Sequence, residues 1–474
     1  MWRYWKQLAI LAFLIVIGFV GWWLCPEDLF FPQLKAATGA SPAALSVGAN
    51  VHVSKLHANF PFTECIIASD PNQVNRLFAA SMFWPRGDSN GMDGDGLVGY
   101  LSDDGGTTWT TSLELVADRA KKESLGDPTA VFGPDGDLYF VHMRTDTTKP
   151  GSLGKEGAGS LDWLCLPAGS DAWEKRGCID RVIDRPWLAV DHTGGANRGR
   201  LYCTANISAP YFITSPDGGR TFQYPKVPDC PRGGVHPAQP VVLSDGSLMA
   251  AFRWSRHRGF RWQPEYLRTF RSCDGGQNLT AEALAGQWKH SHLTSTCVDW
   301  AQEGPFPQLA VDPGSPHFID NLYIVWGQRF YNRGSTEWVL FARSTDGGKT
   351  WSAPVNLSEQ PDTDDPSQDY LAYIPCIAVN KAGVIAVTWY DRRGLPGPAS
   401  DGSMRGWNLR MRVSLDGGAT WSPSVQVTSQ PSSGKLTGWH TAGLTADAAG
   451  DFHPAWIDDR TGKPQLWTAR VTVK

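Results

Sequence analysis

Short apolar runs in this sequence repeatedly end in arginine: Val141-His-Met-Arg144, Ala251-Phe-Arg-Trp254, Tyr390-Asp-Arg-Arg393 and Ile457-Asp-Asp-Arg460. A guanidinium is planar, permanently charged and forked, so several of them facing one space hold carboxylates or sulfates through paired hydrogen bonds. The starts and ends of such runs collect Glu64, Arg86, Arg144, Asp184, Arg185, Arg253, Arg329, Tyr390, Asp391, Arg392, Arg393, His440, Asp458 and Arg460. A second reading applies to the same residues. An Asp-Arg pair at a strand end also serves as a salt bridge tying one sheet to the next, although the arginines outnumber the acids in this set.

The elements that must position these residues are strands. Of 474 residues, 50 are Gly and 33 are Pro, a load that would break helices throughout but suits many short strands joined by tight turns. A 41% hydrophobic content with 22 Trp, 20 Phe and 12 Tyr supplies a core and excludes disorder. Five segments share one pattern: Ser102-Asp-Asp-Gly-Gly-Thr-Thr-Trp109, Ser215-Pro-Asp-Gly-Gly-Arg-Thr-Phe222, Ser272-Cys-Asp-Gly-Gly-Gln-Asn-Leu279, Ser344-Thr-Asp-Gly-Gly-Lys-Thr-Trp351 and Ser414-Leu-Asp-Gly-Gly-Ala-Thr-Trp421. The aspartate can accept from turn amides, the glycines accept positive φ, and the last residue turns inward. A looser repeat pairs two short apolar strands around a Gly, Asp or Asn turn and recurs seven times at roughly 60-residue intervals. It predicts an all-β chain forming a single β-propeller of four-stranded blades, seven in number with six as the alternative. The last unit has room for only three strands, and Asn50 to Lys55 is placed to supply the fourth and close the ring.

The S-x-D-G-G-x-T-W copies resemble the Asp-box (BNR) repeats of the sialidase-like propeller superfamily, over residues 50 to 474. The resemblance implies that each box lies in the turn between the third and fourth strands, away from the active face. Asp104, Asp217, Asp274, Asp346 and Asp416 are then structural. It also implies catalytic roles: Arg185, Arg253, Arg392 or Arg460 on a sugar carboxylate, Tyr390 as nucleophile, Glu303 or Glu64 as its base, and Asp391 or Asp184 as acid/base. A neutral phenol suits a substrate that already carries a carboxylate beside its anomeric carbon. The Phe-Arg-Ile-Pro signature of sialidases is absent, and Asp184-Arg185-Pro186-Trp187 echoes it in part.

Arg3 and Lys6 precede an uncharged run from Leu8 to Leu24, with Glu27 and Asp28 after it. Seventeen residues make about 26 Å of helix, the lower limit for a membrane span. The flanking charges place the N-terminus inside and the body outside. Residues 1–25 are expected to form a signal anchor, 26–48 a linker and 49–474 the propeller, with cleavage and secretion as the alternative. In an oxidising compartment the eight cysteines beyond Cys25 permit disulfides. Cys165–Cys178, Cys203–Cys230 and Cys273–Cys297 are the sequence-local pairs expected. Asp93-Gly-Asp95 and Asp362 to Asp369 read as solvated turns rather than calcium loops. Asn206, Asn278 and Asn356 stand in glycosylation sequons.

A net charge of −4 without a long basic run excludes nucleic acid as the expected partner. No metal or cofactor is expected. Two readings stay open: a sialidase-like protein that binds and hydrolyses anionic glycans, or a non-catalytic propeller that binds a protein at the membrane surface.

Overall fold

The structure is a computed structural model that describes residues 43–85, 95–149, 154–207, 209–228, 234–255, 264–289, 306–330, 336–359, 372–396, 406–433 and 441–474. Seven antiparallel sheets follow one another along the chain. The first blade consists of Phe62–Ser69, Leu77–Phe83, Gly96–Ser102 and Thr110–Val116, ordered from the axis outward. The second begins with Glu123–Phe132, the third with Asp184–Val190, the fifth with Gln308–Val311, the sixth with Ala372–Val379 and the seventh with Gly443–Ala446. In the fourth blade the inner strand is split into Gly234–Pro237 and Val241–Val242. Among the described residues the third blade has three strands, and a bridge between Thr214 and Gln223 stands in the outer position.

Ring closure follows the sequence expectation. Val51 and His52 pair antiparallel with Thr468 and Trp467, so the N-terminal segment completes the last blade. The sheet starts earlier than residue 49, because Leu45–Val47, expected in the linker, pairs with Val471–Val473. The apolar segment from Leu8 to Leu24 lies outside the described residues.

Aromatic side chains fill the spaces between blades. Trp421, which closes the last Asp box, meets Phe341 of the preceding blade edge-on at 4.9 Å. Gly418 in that box has φ of +82°, and a Cβ there would lie 2.5 Å from the Phe341 ring. The glycine is therefore required both by the turn and by the neighbouring blade.

The expected Cys165–Cys178 disulfide does not form. The two lie on paired strands, but Cys165 is opposite Glu174 and Cys178 is opposite Asp162. That register separates them along the ladder by roughly 10 Å at about 3.3 Å per residue, beyond disulfide reach. Among the described residues, buried Cys65, Cys203 and Cys376 and exposed Cys273 form no disulfide with one another. Cys230 and Cys297, expected to partner Cys203 and Cys273, lie outside the described residues.

Candidate functional site

Strand direction alternates within a blade, so the beginnings of the inner strands share one end of the axis with the ends of the second strands. At this end the inner strands of four blades carry a bulge, at Glu64, Asp127, Arg185 and Ile374, with φ of +49°, +53°, +54° and +52°. The ladder registers shift at the same places. A left-handed residue other than glycine is unfavourable by about 1–2 kcal/mol, and a bulge re-aims the side chain it carries. Glu64, Asp127, Arg185, Trp187, Phe306 and Thr441 line a recess here, with a volume of about 20 Å³. That is room for about one water.

Three carboxyl groups from three successive blades form a hydrogen-bonded chain at the recess. Glu64 bonds to Asp127, and Asp127 bonds to Asp184. Burial pushes Glu64 up to about 7, outweighing its hydrogen bond to Asp127 and the charge of Arg185. Burial, then the neighbouring Glu64 charge, pushes Asp127 up to about 6. Burial also raises Asp184 to about 7, against the pull of Arg185. Near neutral pH the chain therefore holds proton-bearing and ionised carboxyls side by side, the arrangement that permits acid and base catalysis in one site.

One guanidinium faces these acids. Arg185 Nε is 3.8 Å from Asp184, and the Arg185 backbone N–H donates to Asp127 Oδ2 at 2.8 Å. The guanidinium carbon lies 4.6 Å from the centre of the Phe306 ring, and Nη1 is 3.4 Å from His236 Nδ1. The His236 and Phe306 rings meet edge-on at 4.9 Å. Arg253, buried, pairs with His236 in the fourth blade's ladder. The structure thus brings Arg185, Glu64 and Asp184 together, with Arg253 one strand away.

The remaining sequence candidates go elsewhere. Tyr390 is 2% exposed, and its hydroxyl accepts from the Ile457 backbone N–H of the next blade at 3.0 Å. Burial holds its pKa well above the ordinary phenol value. The residue expected as nucleophile is thus packed between two blades and is not among the residues that line the recess. Asp391 accepts from Trp389 Nε1 at 3.0 Å and pairs with Arg393. Buried Arg392 donates to the carbonyls of Gly406 and Pro396 and lies over Trp407. Arg460 pairs with Asp458, bonds Asn50 Oδ1 and lies over Trp467. Arg460 pairs with an acid, as the salt-bridge reading expects, whereas Arg392 donates to backbone carbonyls. Glu303, His440 and Arg86 lie outside the described residues. Asn206 and Asn356 of the sequons are 8% and 5% exposed, and Asn206 lies 3.5 Å from Asp184. Among the described residues, no group of three or more His, Cys, Asp or Glu side chains is arranged to hold a metal ion.

At the opposite end of the axis, each Asp box closes the turn between the third and fourth strands. In every copy the aspartate Oδ1 accepts from the serine two residues before it and from the backbone N–H four residues after it. Its Oδ2 accepts from a Thr or Asn side chain, as in Thr350 Oγ1 to Asp346 at 2.6 Å. The BNR/Asp-box repeat family matches residues 342–353, which contain one of these turns. The chain is a β-propeller with Asp-box repeats. No curated protein matches it in sequence. Among solved structures, a protein of unknown function from Dyadobacter fermentans DSM 18053 shares this propeller fold at a TM-score of 0.53 and 13% identity, over 91% of this chain and 99% of that one. A mutant of Trypanosoma rangeli sialidase displaying trans-sialidase activity aligns at a TM-score of 0.44 and 13% identity, over 92% of this chain and 60% of that one. The K499G mutant of NanB sialidase from Streptococcus pneumoniae aligns at 0.42 and 11%, over 93% and 70%.

The mouth of this Asp-box propeller had a sequence signal that arginine spacing missed. Asp127-Pro128, Arg185-Pro186, His236-Pro237, Phe306-Pro307 and Ile374-Pro375 stand within successive inner strands or just before them. Proline disfavours the right-handed helical region for the residue before it. Four of those preceding residues, Asp127, Arg185, His236 and Phe306, form the mouth.

Proposed function

We propose that the protein is an exported glycan-active propeller, held at the membrane by the segment from Leu8 to Leu24, that hydrolyses glycosidic bonds of anionic sugars at its mouth. The carboxyl chain Glu64–Asp127–Asp184 carries this reading. Glycoside hydrolysis requires one carboxyl that donates a proton to the leaving oxygen and another that activates water. Glu64 and Asp184, at the ends of the chain, take those two roles, and Asp127 between them shares their protons. The recess beside them is the size of the water to be activated. Phe306 and Trp187 wall the water-sized recess, and Arg185, more exposed than either ring beside it, draws the acidic substituent of the sugar. In this scheme water attacks the anomeric carbon directly, the glycosidic bond breaks, and the leaving oxygen takes the proton of the acid.

The test uses the full chain in neutral-lipid nanodiscs with a panel of fluorogenic sialosides, uronides and neutral glycosides. Turnover of an acidic member that disappears in both Glu64→Gln and Asp184→Asn supports the reading. Absence of turnover across the panel, with saturable sugar binding retained, replaces it with a binding role. Absence of both leaves the protein-scaffold reading.

A further inference from the structure

The other end of the axis holds the larger space. A cavity of about 740 Å³ opens among the first turns of the blades, with Asn72, His192, Arg198, Asn380 and Lys381 on its walls. It shares Ser69, His192 and Pro313 with a second cavity of about 530 Å³. Both volumes fall in the range of small-molecule sites. The apolar part of the second cavity's lining includes Ala68, Ala130, Val131, Ala189, Val190 and Leu444. The alanines repeat at matching points of the inner strands in blades one, two and three, each 7–8% exposed. Their small side chains leave the axis open, where a larger one would fill it.

Charge is distributed unevenly around this space. Two cationic side chains, Lys381 and Arg198, face the outer cavity beside His192, whose imidazole is held toward its neutral form by burial and by those two charges and so offers a ring N–H rather than a charge. Arg198 pairs with Asp135 at 2.5 Å, and Lys381 Nζ donates to the Pro71 carbonyl at 3.4 Å. Asp70, Asp191, Asp312 and Asp447 stand at the same level but are at most 4% exposed. Each is turned into the backbone amides of its own turn, as in Asp312 Oδ1 accepting from Ser315 N–H at 2.7 Å. Asp447 lines the outer cavity and Asp312 the second one, but both are recessed, so the charged groups most exposed to a ligand are Lys381 and Arg198, with alanine and valine side chains beyond them.

We propose that this end of the axis is a second ligand site, which takes a small anionic amphiphile. Its carboxylate or phosphate sits against Lys381, Arg198 and His192, and its aliphatic or aromatic body enters the alanine- and valine-lined throat. The site lies on the face opposite the carboxyl chain and does not depend on the hydrolytic reading.

The experiment is calorimetric titration of the full chain in neutral-lipid nanodiscs with 4-phenylbutyrate, its neutral amide and acetate, against empty nanodiscs. Saturable binding of 4-phenylbutyrate is expected, with the amide and acetate each at least about tenfold weaker. Lys381→Gln should weaken it about fivefold to tenfold, and Ala130→Leu or Ala189→Leu should block it. Lys381 is exposed, so its variant remains informative if an alanine variant fails to fold. Nanodiscs containing anionic lipid separate the sources: competition with the probe marks a bilayer lipid as occupant, and unchanged affinity marks a free anion. The absence of saturable binding, equal affinity for acetate, or full affinity in Lys381→Gln overturns the proposal.

Discussion

The two ends of the propeller use carboxyl groups in opposite ways. At the mouth, Glu64, Asp127 and Asp184 bond to one another and are pushed up to about 7, 6 and 7. At the Asp-box end, burial acts in the same upward direction, but hydrogen bonds from the turn outweigh it. Asp104, Asp217, Asp346 and Asp416 are held below the ordinary carboxylate range, and Asp274 falls to about 2. The residue type hardly differs; the donors do. Backbone and hydroxyl donors at the exposed turns favour the charged form and make a permanent clasp, whereas at the mouth burial outweighs the hydrogen bonds and leaves a proton available for transfer.

The sharpest test of this contrast is catalytic. Glu64→Gln or Asp184→Asn should lower kcat/KM by about 10²- to 10⁴-fold, the usual weight of a general acid or base. Asp346→Asn should leave kcat/KM within about twofold. Comparable losses at both ends would erase the division of labour.

The pH dependence of stability should have opposite signs at the two ends. Carboxyls raised in the fold bind protons that the unfolded chain has released. The mouth therefore loses stability as pH rises from about 4.5 to 7, the ordinary and folded values for Glu64, and Glu64→Gln should flatten that slope. The lowered Asp-box carboxylates contribute stability above about 3.8, which is lost as pH falls toward about 2 at Asp274. Asp274→Ala should reduce that acid-side loss. Denaturant titrations across pH 2–8 measure both.

Removing a clasp should also act at neutral pH. Asp346→Ala leaves the Ser344 hydroxyl and the Thr350 N–H and hydroxyl without their acceptor, an expected loss of about 1–3 kcal/mol in the denaturation midpoint. Smallest is Tyr390→Phe, which removes the acceptor for Ile457 N–H. It should destabilise by about 1 kcal/mol and change kcat/KM less than twofold. A thousandfold loss of turnover would restore the phenol as nucleophile.

The repeats made the architecture legible. Each Asp box carries its acceptor, its two glycines and its closing side chain within eight residues, so the turn is specified locally. The strand deficit in the last unit likewise pointed to closure by Asn50 to Lys55, realised at Val51 and His52. The mouth was read less well. Arg392, Arg460 and Tyr390 have the residue types of a sugar site but end at strands whose neighbours supply carbonyls, carboxylates and rings. Spacing along a strand cannot show which side of a blade junction a side chain enters. The cysteine pairing failed for a related reason, since the hairpin register that separates Cys165 from Cys178 includes a bulge between Lys175 and Gly177.

By itself, then, the sequence determined the repeating unit, its turns and the all-β ring, because these depend on hydrogen bonds and packing patterns repeated within short segments. Only the tertiary structure decided which acids share protons. Glu64, Asp127 and Asp184 stand far apart along the chain, and their chemistry arises when three inner strands converge on one axis and exclude the water that would otherwise keep each carboxylate separately charged.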